Sequence, residues 1–219
     1  MIYYDIHTHQ PARYPEDIVV ISVDAGRLKL PGPIIPQANN YYSVGIHPWH
    51  VDMKSMDYVC EYASRPTVVA IGETGLDKIA AKDECEFRLQ QELFSAHAEL
   101  SEATRKPLII HCVKAWDELL HIHKSIKPVM PWIIHGFRGK ELLASQLINA
   151  GLYLSFGKYY HEEALLIAWQ KQRLLIETDD KDVDLHTIYE QIAGDLNISK
   201  ETLAEAISRF FKNQLLTSR

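Results

Sequence analysis

Residues 67–73 read TVVAIGE, an apolar run closed by a glycine and a carboxylate. A short apolar stretch rich in β-branched residues and ended by a turn signal suits a strand buried on both faces. The same design recurs in YYDIHTH (3–9), PLIIHC (107–112), PWIIHG (131–136) and RLLIETD (173–179), each delivering a histidine or an acid at its downstream end. Further runs at 18–23, 42–46 and 151–156 bring the candidate strands to eight. From the fourth strand on, each is followed by a helical stretch: 84–104, 114–124, 139–149, 160–170 and 184–193, with others at 55–63 and near 200–214. Strands that alternate with helices are parallel and joined by crossovers. The expected fold is α/β, a compact (β/α)8 TIM-like barrel occupying 1–219 as one domain. Such barrels typically take about 250 residues, so a trimmed and distorted version is expected. The trimming falls between the first three strands, where Pro11, Pro15, Pro31, Pro33 and Pro36 leave little helical periodicity and irregular loops replace helices.

The longest helix, 84–104, carries Leu89, Leu93, Ala96, Leu100 and Ala103 at steps of three and four, one apolar stripe for packing on the sheet. Asp83 and Glu86 have capping-box spacing at its start.

Composition narrows the function classes. With 47% hydrophobic and 24% charged residues the chain is an ordinary globular one, and its net charge of −6 repels polyanions in bulk. A phosphate-bearing substrate therefore has to be attracted locally. Three cysteines without zinc-finger spacing point to reduced thiols and a cytoplasmic location. The N-terminus lacks the basic and apolar regions of a signal peptide. No uncharged apolar run approaches the roughly 20 residues of a membrane helix. No obligate protein partner is evident.

His7, His9, Glu73, His111, His135 and Asp179 all lie at strand ends in this reading, on strands one, four, five, six and eight. Side chains two apart on a strand share a face, so His7 and His9 can chelate one ion. His121 and His123 share that spacing in a helical stretch, where the rings diverge, and read as surface residues. Barrel active sites gather at the carboxyl ends of the strands, so the six should converge. Two neighbouring divalent ions need a bridging anion, and Glu73 offers two oxygens. Imidazole favours zinc, manganese, nickel or iron over magnesium. The competing readings are a loop acid for Glu73, buried histidines for His111 and His135, and a helix N-cap for Asp179. Cys112, on the opposite strand face from His111, reads as core, and His97 and His161 as structural or surface residues.

DIHTH, GIHP (45–48), IGETGLD (71–77), residues 87–112, IIHGFRG (133–139), GLYLSFG (151–157) and IETD (176–179) resemble the TatD family of metal-dependent deoxyribonucleases, within the amidohydrolase-like barrels. The resemblance runs from Asp5 to the last helix, and IGETGLD is its most distinctive piece. It implies a metal-dependent phosphodiesterase of DNase or 3′ to 5′ exonuclease type, two divalent ions (Zn, Mn or Mg) on the six ligands, and DNA or a nucleotide as substrate. Asp179 then accepts a proton from the attacking water, with Glu73 as the second catalytic residue. The chain departs from the family around the ions. Val113 stands where the family frequently has arginine, Arg138 replaces a serine, and Asp180 and Lys181 replace Ser-Pro or Ala-Pro. Arg138, Lys114, Lys158, Trp49, His47 and His50 are the candidates for substrate binding. Two alternatives stay open: another hydrolase on the same barrel, acting on a lactone, amide or phosphotriester, and a non-catalytic metal-binding scaffold. The carboxylated lysine many such relatives use on strand four is here Glu73, which favours the phosphodiesterase.

Overall fold

A computed structural model describes residues 1–27 and 38–216. Pro31, Pro33 and Pro36, expected in an irregular loop, lie outside the described residues. Eight strands form one sheet in the order β1 to β8: β1 Tyr4–Thr8, β2 Ile18–Asp24, β3 Asn40–Gly45, β4 Val68–Asp77, β5 Leu108–Val113, β6 Trp132–Ile134, β7 Tyr153–Phe156 and β8 Leu174–Ile176. The helices are α1 Met56–Ala63, α2 Glu84–Thr104, α3 Trp116–Ile126, α4 Glu141–Asn149, α5 Glu162–Gln170, α6 Leu185–Asp195 and α7 Lys200–Phe210, the last running into a π turn at Phe211–Leu215. Strand order equal to chain order, with β8 bridged back to β1 through Asp179 and Thr8, is the topology of a (β/α)8 barrel. None of the helices among the described residues is long and apolar enough to cross a membrane.

The described residues group into two compact units. One is built from 1–21, 38–41 and 133–216. In it β1 pairs with β2 through Tyr4↔Ile18, and β7 with β6 and β8 through Ile133↔Tyr153 and Phe156↔Ile176, all parallel. Ile6, Ile133, Leu154, Phe156, Leu175 and Ile176 are fully buried. Both faces of these strands are covered, which is why the sequence shows continuous apolar runs instead of alternation. The segment after β1 contains no helix. It is held as a loop by side chains instead. Asn40 accepts the Ala12 amide at 3.3 Å, Arg13 reaches Asp182 at 2.6 Å, and Tyr14 donates to Asp184 at 2.9 Å while stacking on His186.

The other unit comprises 22–27 and 42–132. There β4 pairs in parallel with β3 and β5. It extends five residues beyond the expected end at Gly72, through Thr74↔Ile110 and Asp77↔Val113, with a register shift between Ile71 and Thr74. The apolar run stops at Gly72, so composition gave no sign of the extension. Gly75 makes it possible, at φ 144° and so close to β5 that a Cβ would sit 1.9 Å from the His111 carbonyl oxygen.

The structure also corrects the face of α2. Its buried positions are Phe87, Gln90, Leu93, Phe94, His97, Ala98 and Ser101, whereas Leu89, Ala96 and Leu100 are half-buried and Ala103 is exposed. Three polar side chains go inside because each finds partners there. Gln90 accepts the Asp77 amide at 2.8 Å and donates to the Pro48 carbonyl, while Ser101 donates to Lys106 O at 2.6 Å. His97 donates from Nδ1 to Leu93 O and accepts the Ile46 amide on Nε2. Asp83 caps the helix by accepting the Glu86 amide at 2.8 Å, but Glu86 reaches back to the Lys82 amide instead of closing a box on Asp83.

Candidate metal-binding strand ends

The first donor cluster belongs to β1, β6 and β8. His7, next to the last residue of β1, is fully buried, and Nε2 of both His7 and His9 faces Asp179 Oδ1, at 3.6 and 3.8 Å. Main-chain bonds set this arrangement: Asp179 N donates to His7 O at 3.0 Å and His9 N to Asp179 O at 3.2 Å. Asp179 thus closes β8 onto β1 with the backbone that carries its carboxylate, at a left-handed φ of 58° that Asp tolerates better than most residues. It is not a helix N-cap, for Asp184 caps α6 by accepting the His186 amide. The His135 ring packs 4.3 Å from that of His7. Donor atoms of His7, His9 and Asp179 lie within 4.8 Å of one another, as do those of His135, Glu177 and Asp179.

Glu177 and Asp5 are functional candidates that the sequence reading passed over. Glu177 is 1% exposed; its Oε1 accepts the Gly136 amide at 2.6 Å, and its Oε2 has no hydrogen-bond partner among the described residues. Asp5 is buried, accepting the His7 amide on Oδ1 and the Thr178 hydroxyl on Oδ2. Desolvation lifts its carboxyl to about 7 against the pull of the Thr178 bond. A signal for both was available. Asp5 precedes His7 by two and Glu177 precedes Asp179 by two, the same-face spacing already used for His7 and His9.

The second cluster belongs to β3, β4 and β5. Glu73 Oε1 is shared by His47 Nε2 at 3.0 Å and His111 Nδ1 at 3.2 Å, and the donors of all three lie within 4.8 Å. His47, read from the sequence as a substrate contact, thus stands among the potential ligands. Asp77 lies behind His111, 3.3 Å from its Nε2, and accepts the Trp49 indole N–H at 2.8 Å. Burial opposes ionisation of Asp77, but His111, Trp49 and the Ala80 and Ile79 amides outweigh it and hold the carboxyl well below the usual range. A carboxylate behind a histidine ring fixes its tautomer and orientation, the usual support of a metal-binding imidazole. Trp49 keeps 60% of its surface exposed and meets His47 edge-on at 4.8 Å. His50 Nδ1 pairs with Asp24 Oδ2 at 2.5 Å, and Asp24 also accepts the His47 amide.

The remaining candidates separate. Arg138 and Lys158 line a cleft with Glu177 and Asp179. Lys114 is exposed just past β5 at φ 57°. Cys112 is buried, its thiol pushed up to about 12 by desolvation, and His161 is exposed at the start of α5. His121 is exposed as expected, whereas His123 is half-buried edge-on against Trp132 at 4.8 Å. On α3 the two rings diverge, and one of them turns toward β6.

Imidazole nitrogens and carboxylate oxygens grouped this tightly are the donor chemistry of a divalent transition metal. The buried Glu177 oxygen fits that chemistry, since a polar oxygen without a partner in the interior is costly and a bound cation would satisfy it. The class defined by fold and donors is a (β/α)8 barrel whose strands carry donor clusters able to hold a metal. Its fold is shared with a crystal structure of YjjV, a TatD homologue from Escherichia coli K12, at TM-score 0.78 and 17% identity over 99% of this chain and 98% of that one. The family model for TatD related DNase matches residues 16–214, and the chain belongs to that family. It is 34% identical over 152 residues to an uncharacterized metal-dependent hydrolase of Buchnera aphidicola subsp. Baizongia pistaciae, covering 64% of this chain and 56% of the relative. It is 30% identical over 148 residues to the 3′-5′ ssDNA/RNA exonuclease TatD of Erwinia billingiae, covering 63% and 56%. The chain spans little more than half the length of these two relatives.

Proposed function

We propose that the chain is a two-metal phosphodiesterase acting on DNA or nucleotides, with His7, His9, Glu73, His111, His135 and Asp179 as ligands. The observation that carries this reading is the pairing of histidines with carboxylates on β1, β4 and β5 and just past β1, β6 and β8, in a family described as DNases. Active sites of (β/α)8 barrels use residues from the carboxyl ends of the strands, the region from which both donor sets come. A relative named as a 3′-5′ ssDNA/RNA exonuclease supports the substrate class.

When bound, the divalent ions supply Lewis acidity, an acidified water and charge neutralisation for an in-line displacement. The protein's own groups do the positioning. Glu73, with both His47 and His111 on one oxygen, is suited to bridging. Asp179, aligned by His7 and His9, is the proton acceptor and can return the proton to the leaving alkoxide. Asp77 and Glu177 hold His111 and the β6 end from behind. The free thiols of Cys60, Cys85 and Cys112 fit a cytoplasmic location.

The test is to strip the purified protein with a chelator, reload it with Mn²⁺, and assay single-stranded oligonucleotides against a panel of carboxylic esters and lactones. Metal-dependent release of nucleotides is expected. Opening of lactones without cleavage of any phosphodiester would assign the barrel to a different hydrolase.

A further inference from the structure

The loop after β7 reads GKYYHEE, and its Tyr159 leaves 56% of its surface in solvent. A single exposed aromatic is ordinary. This one lines the cleft that holds Glu177 and Asp179, together with Arg138, Lys158 and Lys181. The Arg138 guanidinium lies 5.8 Å from the Tyr159 ring centroid and the Lys158 ammonium 5.5 Å from it, both within cation–π range. Lys181 is committed to Asp180, but Arg138 and Lys158 enter no ion pair among the described residues. The loops after β6, β7 and β8 thus bring Arg138, Lys158 and Lys181 to one aromatic ring, beside the carboxylates of Glu177 and Asp179.

We infer that Tyr159 is a base-stacking platform, and Arg138 and Lys158 its phosphate grips, for an unpaired nucleotide next to the catalytic centre. The inference rests on the phosphodiesterase reading and assigns to named residues of this chain the holding of one base and its phosphates. A π face flanked by cations matches a ligand in which a flat ring and an anion alternate at short spacing, and single-stranded nucleic acid is built that way. A duplex does not fit, because its base faces are already covered by their neighbours. Stacking needs the ring and not its hydroxyl, so phenylalanine should serve and alanine should not. The phosphate grips, by contrast, act on any strand with the same backbone charge.

The experiment is fluorescence anisotropy on the metal-loaded protein with two labelled short strands, oligothymidylate and an abasic strand of equal length. Both carry phosphorothioate linkages that resist cleavage. Wild type should bind the thymidylate roughly 5- to 150-fold more tightly than the abasic strand. Tyr159→Ala should erase that ratio and Tyr159→Phe should keep it. Arg138→Ala with Lys158→Ala should weaken both strands alike and flatten the salt dependence. An unchanged ratio in Tyr159→Ala, or an equal preference for duplex, would overturn the inference even if hydrolysis is intact. A Tyr159-dependent ratio in a protein that cleaves no phosphodiester would uphold the platform and overturn the catalytic reading instead.

Discussion

The buried carboxylate of Glu177 accepts the Gly136 amide at 2.6 Å, joining the end of β8 to the turn that follows His135. Gly136 sits at φ 57°, a left-handed conformation that glycine adopts without strain, and this aims its N–H at the carboxylate. One oxygen of Glu177 is thereby fixed, 3.6 Å from His135 Nδ1, and the other has no hydrogen-bond partner among the described residues. Glu177→Gln preserves the acceptor for Gly136 but removes the charge. It should fold normally and lose roughly 10- to 100-fold in metal affinity, the usual cost of disturbing a residue behind a ligand. Calorimetric titration with Mn²⁺ alongside thermal denaturation separates the two effects, and unchanged affinity would reduce Glu177 to a structural tether.

Asp179 is held by its own main chain between His7 and His9, so its position does not depend on its charge. Asp179→Asn should therefore keep the β1–β8 closure and some metal while losing about 100- to 10,000-fold in turnover, the range for a general base. Single-turnover cleavage of an end-labelled oligonucleotide measures this. A variant with near-wild-type rate would dismiss the base assignment.

His97 supplies a pH signature separate from catalysis. Burial disfavours its charged form and holds its pKa down to about 4, because Nε2 already accepts the Ile46 amide and has no room for a proton. A histidine whose folded pKa is depressed contributes stability that is whole above its ordinary value near 6.5 and is lost as pH falls through about 4. Across that window the loss is roughly 3 kcal/mol. His97→Gln can meet the same two partners without titrating. The stability difference between wild type and variant, from urea melts at pH 7 and pH 4, should shrink by about that amount. A difference independent of pH would mean that His97 is not neutral in the fold.

The strands and helices were legible because both faces of the strands are buried and their apolar runs are uninterrupted. Glu73, His111 and His135 stood out for the same reason, each being the first polar residue to follow such a run, whereas His7, His9 and Asp179 stood out by their spacing and come after Asp5 and Glu177. Polar residues inside elements were not legible by that rule. Gln90, His97 and Ser101 displaced the apolar stripe expected on α2, since each is buried for the sake of a backbone partner that only the fold supplies. Asp77 was hidden differently: β4 continues past its apolar run through Gly75, and its last residue then stands behind His111. Asp24 and His50 come from separate segments, and nothing local marks their pairing.

The most direct measurement counts the ions. Elemental analysis and Mn²⁺ titration of chelator-stripped protein should return two divalent ions per chain. Titration of His9→Ala and of His111→Ala should each weaken one site selectively, because the two histidines belong to different donor sets. A protein that takes up no ion, or one ion lost equally in both variants, would contradict a two-metal centre built from these strand ends.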